Sequence, residues 1–309
     1  MIILANTAYA LALLAVGVVL AFLVDQAVAG RNGADKTSGG GAVREFLNQV
    51  FKPDPGHKWK DALLFYAAPP TALAAVAVAL SVIPIGPGFQ HQPMPQLTVG
   101  IFFYLVVLDF LAVALFMAGW GANHPWGSHG AFLAAAQLVS YVVPLGFAAT
   151  GAVMAAQSLQ PAEVINAQGR ELWFGVWQPF GLAIYLLAAL GQTYRPPADL
   201  PLRGEGMDVM VEYQGGSAAA LKLALYGIWF AAAAMGTLLF LGGWQGPWLP
   251  GPVWFLLKTA ALLVLMSWLG TRMKPLSLEQ MVRRAWTILV PASIVNVVIV
   301  GLIIVLWKQ

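Results

Sequence analysis

Few side chains in this 309-residue sequence can do chemistry, and the most informative of them stand where charge is expensive. Asp109 lies mid-way through the apolar run Phe103-Tyr104-Leu105-Val106-Val107-Leu108-Asp109-Phe110-Leu111. An ionisable group in such a run is costly, so it is either a proton carrier or a strut that hydrogen-bonds two helices together. Lys258, in Trp254-Phe-Leu-Leu-Lys258-Thr259, either snorkels outward or pairs inward with an acid. Lys222 stands about one turn into another apolar run. Asp25 comes near the end of the first such run, where it is expected to snorkel, and Asp61 opens the second, where an acid suits a helix N-terminus. Gln137, Ser140, Tyr141, Gln192 and Asn296 add uncharged polar groups able to bridge helices. The four histidines, His57, His91, His124 and His129, are all expected in loops, which argues against axial ligation of an intramembrane haem. His124 and His129 share a short loop, a weak metal signal without carboxylates. The absence of cysteine excludes disulfides, thiolate metal sites and iron–sulfur ligation by this chain.

The elements that hold these groups follow from composition. Sixty per cent of residues are hydrophobic and 9% are charged, against about 25% charged in a soluble domain. The excess of basic over acidic residues is small and sits in short loops, so nucleic acid is not the implied partner. Runs of about 20 apolar residues are long enough to cross a bilayer as helices. Eight are legible, over 3–29, 61–86, 98–120, 131–156, 172–193, 218–241, 253–270 and 287–307. None shows the alternation of a membrane β-barrel. The first has no positive n-region and reads as a retained helix rather than a signal peptide. The expectation is one all-α membrane domain over 1–309, with about eight transmembrane helices.

Lys and Arg concentrate in the loops after the first, fifth and seventh runs, which makes those loops cytoplasmic and puts both termini outside. In the first of these loops, Val43, Phe46, Leu47, Val50 and Phe51 form one apolar stripe, stopped by Pro53. This is a short amphipathic helix in the interface plane. The loop over 194–217 carries Arg195, Asp199, Arg203, Glu205, Asp208 and Glu212 and is expected to be a solvated connector.

Five stretches, in order along the chain, resemble one family: the membrane protein of respiratory complex I that joins its peripheral and membrane arms (the H subunit of bacteria and its mitochondrial counterpart). They are Leu239-Phe-Leu-Gly-Gly-Trp244 with Trp254-Phe-Leu-Leu-Lys-Thr259; Arg195-Pro-Pro-Ala-Asp199-Leu-Pro201 with Glu205 and Glu212-Tyr213; Glu279-Gln280-Met281 with Trp286 and Pro291; Ala68-Pro69 with Ile83-Pro84-Ile-Gly86-Pro87; and Gly119-Trp120 with Ser140-Tyr141. The resemblance implies a subunit of an NADH-quinone oxidoreductase in a bacterial-type cytoplasmic membrane, not catalytic alone. Its implied substrate is a non-covalently bound quinone, with no metal or cluster held by this chain. Its implied partners are antiporter-like membrane-arm subunits, peripheral iron–sulfur and quinone-site subunits, and lipid. Carried onto this sequence, the quinone chamber draws on Arg195, Asp199, Glu205, Glu212, Tyr213, Phe46 and Phe51. The proton path draws on Asp109, which takes the place of an acid in the family's third helix, with Lys222 and Lys258.

The sequence departs from the family pattern where the family carries intramembrane acids: Val142, Gln192 and Leu225 stand at those positions. The Arg-rich segment after the first helix is reduced to Gly30-Arg31-Asn32-Gly33-Ala34-Asp35. A related assembly, a membrane-bound hydrogenase or ferredoxin-linked complex, is therefore a second reading. A free-standing secondary transporter is a third; it would show discontinuous helices and an inverted repeat, and no repeat is visible.

Overall fold

Lipid offers the backbone no hydrogen bonds, so an apolar chain must satisfy its own amides, and helices do this within one segment. The computed structural model describes residues 2–31, 48, 51–52, 60–89, 94, 96–170, 172–204 and 208–307. These form α1 (Ile2–Arg31), α2 (Ala62–Ser81), α3 (Gly100–Gly121), α4 (Pro125–Ala156), α5 (Pro161–Arg170), α6 (Phe174–Trp177), α7 (Pro179–Gln192), α8 (Gly215–Phe240), α9 (Gly251–Arg272), α10 (Leu278–Arg284) and α11 (Val290–Trp307). A π-helical turn, Ala285–Leu289, joins α10 to α11. Among the described residues seven helical segments are long and apolar enough to cross a membrane, and the all-α membrane fold read from the sequence is the one observed.

Local chemistry sets the helix boundaries. The Asp61 carboxylate accepts from the Leu63 and Leu64 amides and caps α2, as its position suggests. His124 caps α4 by accepting from the Trp126 amide, and Pro125 occupies the first turn, where its missing N–H costs nothing. The fourth helix therefore starts six residues before the expected 131, and His129 lies within it rather than in a loop shared with His124.

The expected span over 172–193 is not one helix. It breaks at Gln178 into the single turn α6 and the 14-residue α7. Pro179 supplies no amide to continue the ladder. At about 1.5 Å per residue α7 is roughly 21 Å long, short of a ~30 Å hydrocarbon core. The amphipathic helix expected over 42–52 falls almost wholly outside the described residues.

α8 is the central element: Gly227 through Phe240 are all buried, with α1, α2, α7 and α9 packed around it. α2 lies on α3, α3 on α4, and α4 on α7 and α11. One end of the bundle, here termed the loop end, gathers Asp61, Gly121, the start of α4 and residues 193–204 and 208–214. There the Asp61 amide donates to the Gly121 carbonyl at 2.9 Å, and the Tyr213 hydroxyl to the Phe65 carbonyl at 2.7 Å. At the far end the Tyr9 hydroxyl donates to the Ile83 carbonyl at 2.5 Å.

Small residues allow the closest crossings. A Cβ added at Gly119 on α3 would lie 2.2 Å from the Gly127 carbonyl oxygen of α4. Gly119→Val is expected to lower the stability of the assembled protein by about 1–3 kcal/mol, the usual cost of overpacking. An unchanged melting temperature in detergent would contradict that crossing.

Candidate functional site

The segment that follows α7 is the most polar stretch of the described bundle, yet it is packed into it. Gln192, Thr193, Tyr194, Ala198, Leu200, Val209 and Tyr213 are all buried. This corrects the expectation of a solvated connector over 194–217. Backbone packed inside the bundle is shut off from water, and its polar groups need partners from the protein.

Gln137 on α4 supplies the first of them. Its side-chain amide donates to the Gly191 carbonyl at 2.7 Å and to the Ala198 carbonyl at 2.6 Å, bracketing the turn at Arg195-Pro196-Pro197. Arg195 then enters the bundle between α1 and α8. Its guanidinium donates to Asp25 at 2.9 Å and stacks over Trp229 at 4.1 Å, with Tyr226 at 4.8 Å. Tyr226 donates to the other Asp25 oxygen at 2.9 Å. Asp25 therefore does not snorkel: it is the counter-ion of an arginine 170 residues away.

Arg203 holds the next turn. Its guanidinium grips Asp199 at 2.5 Å and donates to the Pro197 carbonyl at 3.3 Å and the Leu276 carbonyl at 3.2 Å. The Leu276 amide returns a bond to the Pro197 carbonyl at 3.0 Å, so the segment is tied to the loop between α9 and α10. Further along, the Asp208 carboxylate accepts from the Met210 amide. Glu212 lies 3.9 Å from His124, and Tyr213 stacks flat on Phe65 with ring centroids 4.1 Å apart.

Asp109 sits beside the end of α7. Gln192 donates to its carboxylate at 3.3 Å, and the buried Tyr141 and Tyr194 stand in its neighbourhood. Gln192, one of the polar residues expected to bridge helices, is thus the direct partner of Asp109. A cleft of about 190 Å³, lined mainly by apolar groups such as Leu190, Ala198, Leu276 and Ile288, opens on the other side of Tyr141.

The structure brings Arg195, Asp199, Glu212 and Tyr213 into one segment at the loop end. Lys222 is half-buried on α8, one turn before Tyr226. Phe51 is 83% exposed. Glu205 and Phe46 lie outside the described residues. Lys258 is elsewhere, at the far end. Among the described residues its ammonium turns inward and meets no acid. It donates to the carbonyls of Leu241, Gly243 and Gln245 at 2.6, 3.2 and 2.5 Å and lies 3.9 Å from the Trp173 ring centre. Those carbonyls follow the end of α8, where a cation is favoured by the helix dipole. Sequence reasoning missed Tyr226, Trp229 and Tyr194 as site residues. The signal was available in part: an acid inside an apolar span needs a cation of matching depth.

The Arg195–Asp25 pair is only partly exposed, so its members should couple. Arg195→Met and Asp25→Asn are each expected to destabilise the assembled protein, and the double variant by less than their sum. The coupling should be on the order of 1 kcal/mol in a double-mutant cycle of thermal unfolding. Strict additivity would mean that the contact carries no energy.

Comparison with known proteins shows the family. The family model described as NADH dehydrogenase matches residues 4–301. An H subunit of the NADH-quinone oxidoreductase of Rhodopseudomonas palustris is 35% identical over 263 residues, covering 84% of this chain and 80% of that protein. The NADH-quinone oxidoreductase H subunit of Geobacillus kaustophilus is 33% identical over 267 residues, covering 84% and 79%. The counterpart of Bacillus mycoides is 33% identical over 270 residues, with the same coverage. With seven membrane-length helices and matches over most of its length, this chain is a multi-pass membrane protein of the NADH dehydrogenase family, whose relatives are H subunits of NADH-quinone oxidoreductase.

Proposed function

We propose that the chain is the quinone-chamber subunit of a complex I-like, proton-translocating NADH-quinone oxidoreductase in a bacterial cytoplasmic membrane. The observation that carries this reading is the charged segment after α7, held within the bundle by Arg195 between α1 and α8. Quinone is amphiphilic: a long apolar tail and a head group that takes up two electrons and two protons to become quinol. A membrane subunit that serves it needs an apolar wall continuous with lipid and polar, protonatable groups at one end. On this reading α1 and α8 supply such a wall, and Arg195, Asp199, Glu212 and Tyr213 supply the polar end; Glu205, Phe46 and Phe51 are assigned to the chamber by the family resemblance alone.

The electrons come from iron–sulfur clusters of peripheral partner subunits, ultimately from NADH, since this chain has no cysteine to hold a cluster. Antiporter-like membrane-arm partners carry the translocated protons. The residues of this chain position the head group and hold or pass a proton. Asp109 is a half-buried carboxylic acid joined to the end of α7 by the Gln192 amide, which donates to its carboxylate. Lys222 lies on the same side of the bundle as the charged segment and completes the candidate route. Lys258 is bound to three carbonyls at the far end, and we assign it to clamping the end of α8 rather than to that route. The charged loops, by their Lys and Arg content, face the cytoplasm, which leaves both termini outside.

A second reading, the equivalent subunit of a hydrogenase or ferredoxin-linked complex, draws on Val142, Gln192 and Leu225, which stand where the family has acids. A stand-alone transporter is not retained. The break at Gln178 is a discontinuous helix, but the family match covers nearly the whole chain.

Asp109→Asn separates the two roles open to this residue, because asparagine keeps an acceptor for Gln192 but cannot carry a proton. In the intact complex reconstituted into vesicles, the protons moved per quinone reduced should fall while quinone reduction persists. An unchanged ratio would make Asp109 a strut.

A further inference from the structure

At the far end of α7, opposite Asp109, a second polar site is built from residues that the proposed function does not use. The fifth span breaks at Gln178, whose backbone is non-helical with φ −117° and ψ 51°. Its side chain is 2% exposed, and neither atom of its amide finds a hydrogen-bond partner among the described residues. Asn296, from the middle of α11, is 5% exposed, and its amide nitrogen is likewise unpartnered.

These two amides face the same space. A Cβ added at Gly151 on α4 would lie 2.9 Å from the Asn296 nitrogen and 3.2 Å from the Gln178 oxygen. One added at Gly181 on α7 would lie 3.1 Å from the same Asn296 nitrogen. The Gln178 oxygen and Asn296 nitrogen are therefore within about 6 Å of each other, yet they form no direct bond. A water can bridge a donor and an acceptor within that range. Glycines on α4 and α7 let both amides come close, where a side chain would collide with them.

Three buried polar atoms without partners would each carry an uncompensated loss of hydration, and native proteins satisfy such groups with internal water. We propose that the pocket between α4, α7 and α11 is a water-binding site. One bound water accepts from the Asn296 amide nitrogen and donates to the Gln178 amide oxygen. The Gln178 nitrogen, on the other edge of its amide, calls for a second. Exchanging nitrogen and oxygen in either amide swaps donor and acceptor roles without changing what water must supply. The donor-rich character of the site and the lack of a carboxylate among these contacts select water over a metal cation. Bound there, the water ties the broken fifth span to the fourth and the last helices at the point where the backbone ladder is interrupted. The site is separated from Asp109 by the length of α7, roughly 20 Å, so it is distinct from the proton route proposed above.

The test is a cryo-EM map of the intact complex at a resolution that shows ordered water, for the unmodified protein and for Gly151→Ala. Density within hydrogen-bond distance of both Gln178 and Asn296 is expected, and its loss in Gly151→Ala, whose methyl group would press on both amides and displace them. A direct Gln178–Asn296 bond with no density between them would overturn the proposal. So would density at the short distances of a coordinated cation. A stability series gives an independent reading. Gln178→Leu and Asn296→Leu should each lower the melting temperature, and the double variant should recover part of the loss, because no polar group is left stranded. Fully additive losses would contradict a shared water.

Discussion

The structure depends on one constraint: a backbone that leaves the helical state below the membrane surface must find its hydrogen-bond partners inside the protein. α7 is shorter than a hydrocarbon core is thick, and the chain after it is packed into the bundle. What makes this tolerable is a set of long polar side chains from neighbouring elements. Gln137 takes two carbonyls, Arg203 takes two more and Asp199, and Arg195 brings its own charge to Asp25 with an aromatic bed beneath it. Arginine suits the task, because a planar guanidinium can stack on Trp229 and still present N–H groups in its plane to a carboxylate. The same interactions fix α1 against α8 and the α9–α10 loop against α7. The fold and the polar site are thus held by one network.

Much of the fold was legible from hydropathy alone, since lipid leaves the backbone so few choices. The helices over Ala62–Ser81, Gly100–Gly121, Gly215–Phe240 and Gly251–Arg272 lie close to where their apolar runs place them, and Asp61 acts as the cap it suggests. Hydropathy failed where composition and conformation part company. Residues 172–193 are apolar enough to be a span but contain a proline after Gln178, so the ladder breaks. Residues 125–130 looked like a loop by polarity, yet Pro125 and the His124 cap begin a helix there.

The site was less legible. Counting charges over 194–217 suggested water, because isolated charges are expensive in a bundle. In the fold Arg195 and Arg203 are each opposed by a carboxylate, so the segment buries pairs rather than single charges. Asp25 and Arg195 are too far apart in sequence for spacing to pair them. Asp109 was recognisable as unusual, but its Gln192 partner comes from a helix whose rotation a single sequence does not specify. Polar chemistry consequently divides between two ends. Near the loop end are the arginine pairs and Asp109; at the far end are the Lys258 clamp and the Gln178–Asn296 pocket. Of these two, the loop end combines paired charges with protonatable groups, which is why the proposed quinone chemistry is assigned there.

That assignment is tested most directly by photolabelling the intact, membrane-embedded complex with an azido-quinone and mapping the modified peptides. The account calls for label on this chain in α1, α8 or residues 193–214, suppressed by excess unlabelled quinone. Competed label confined to the far end of the bundle, or found only on other subunits, would contradict it.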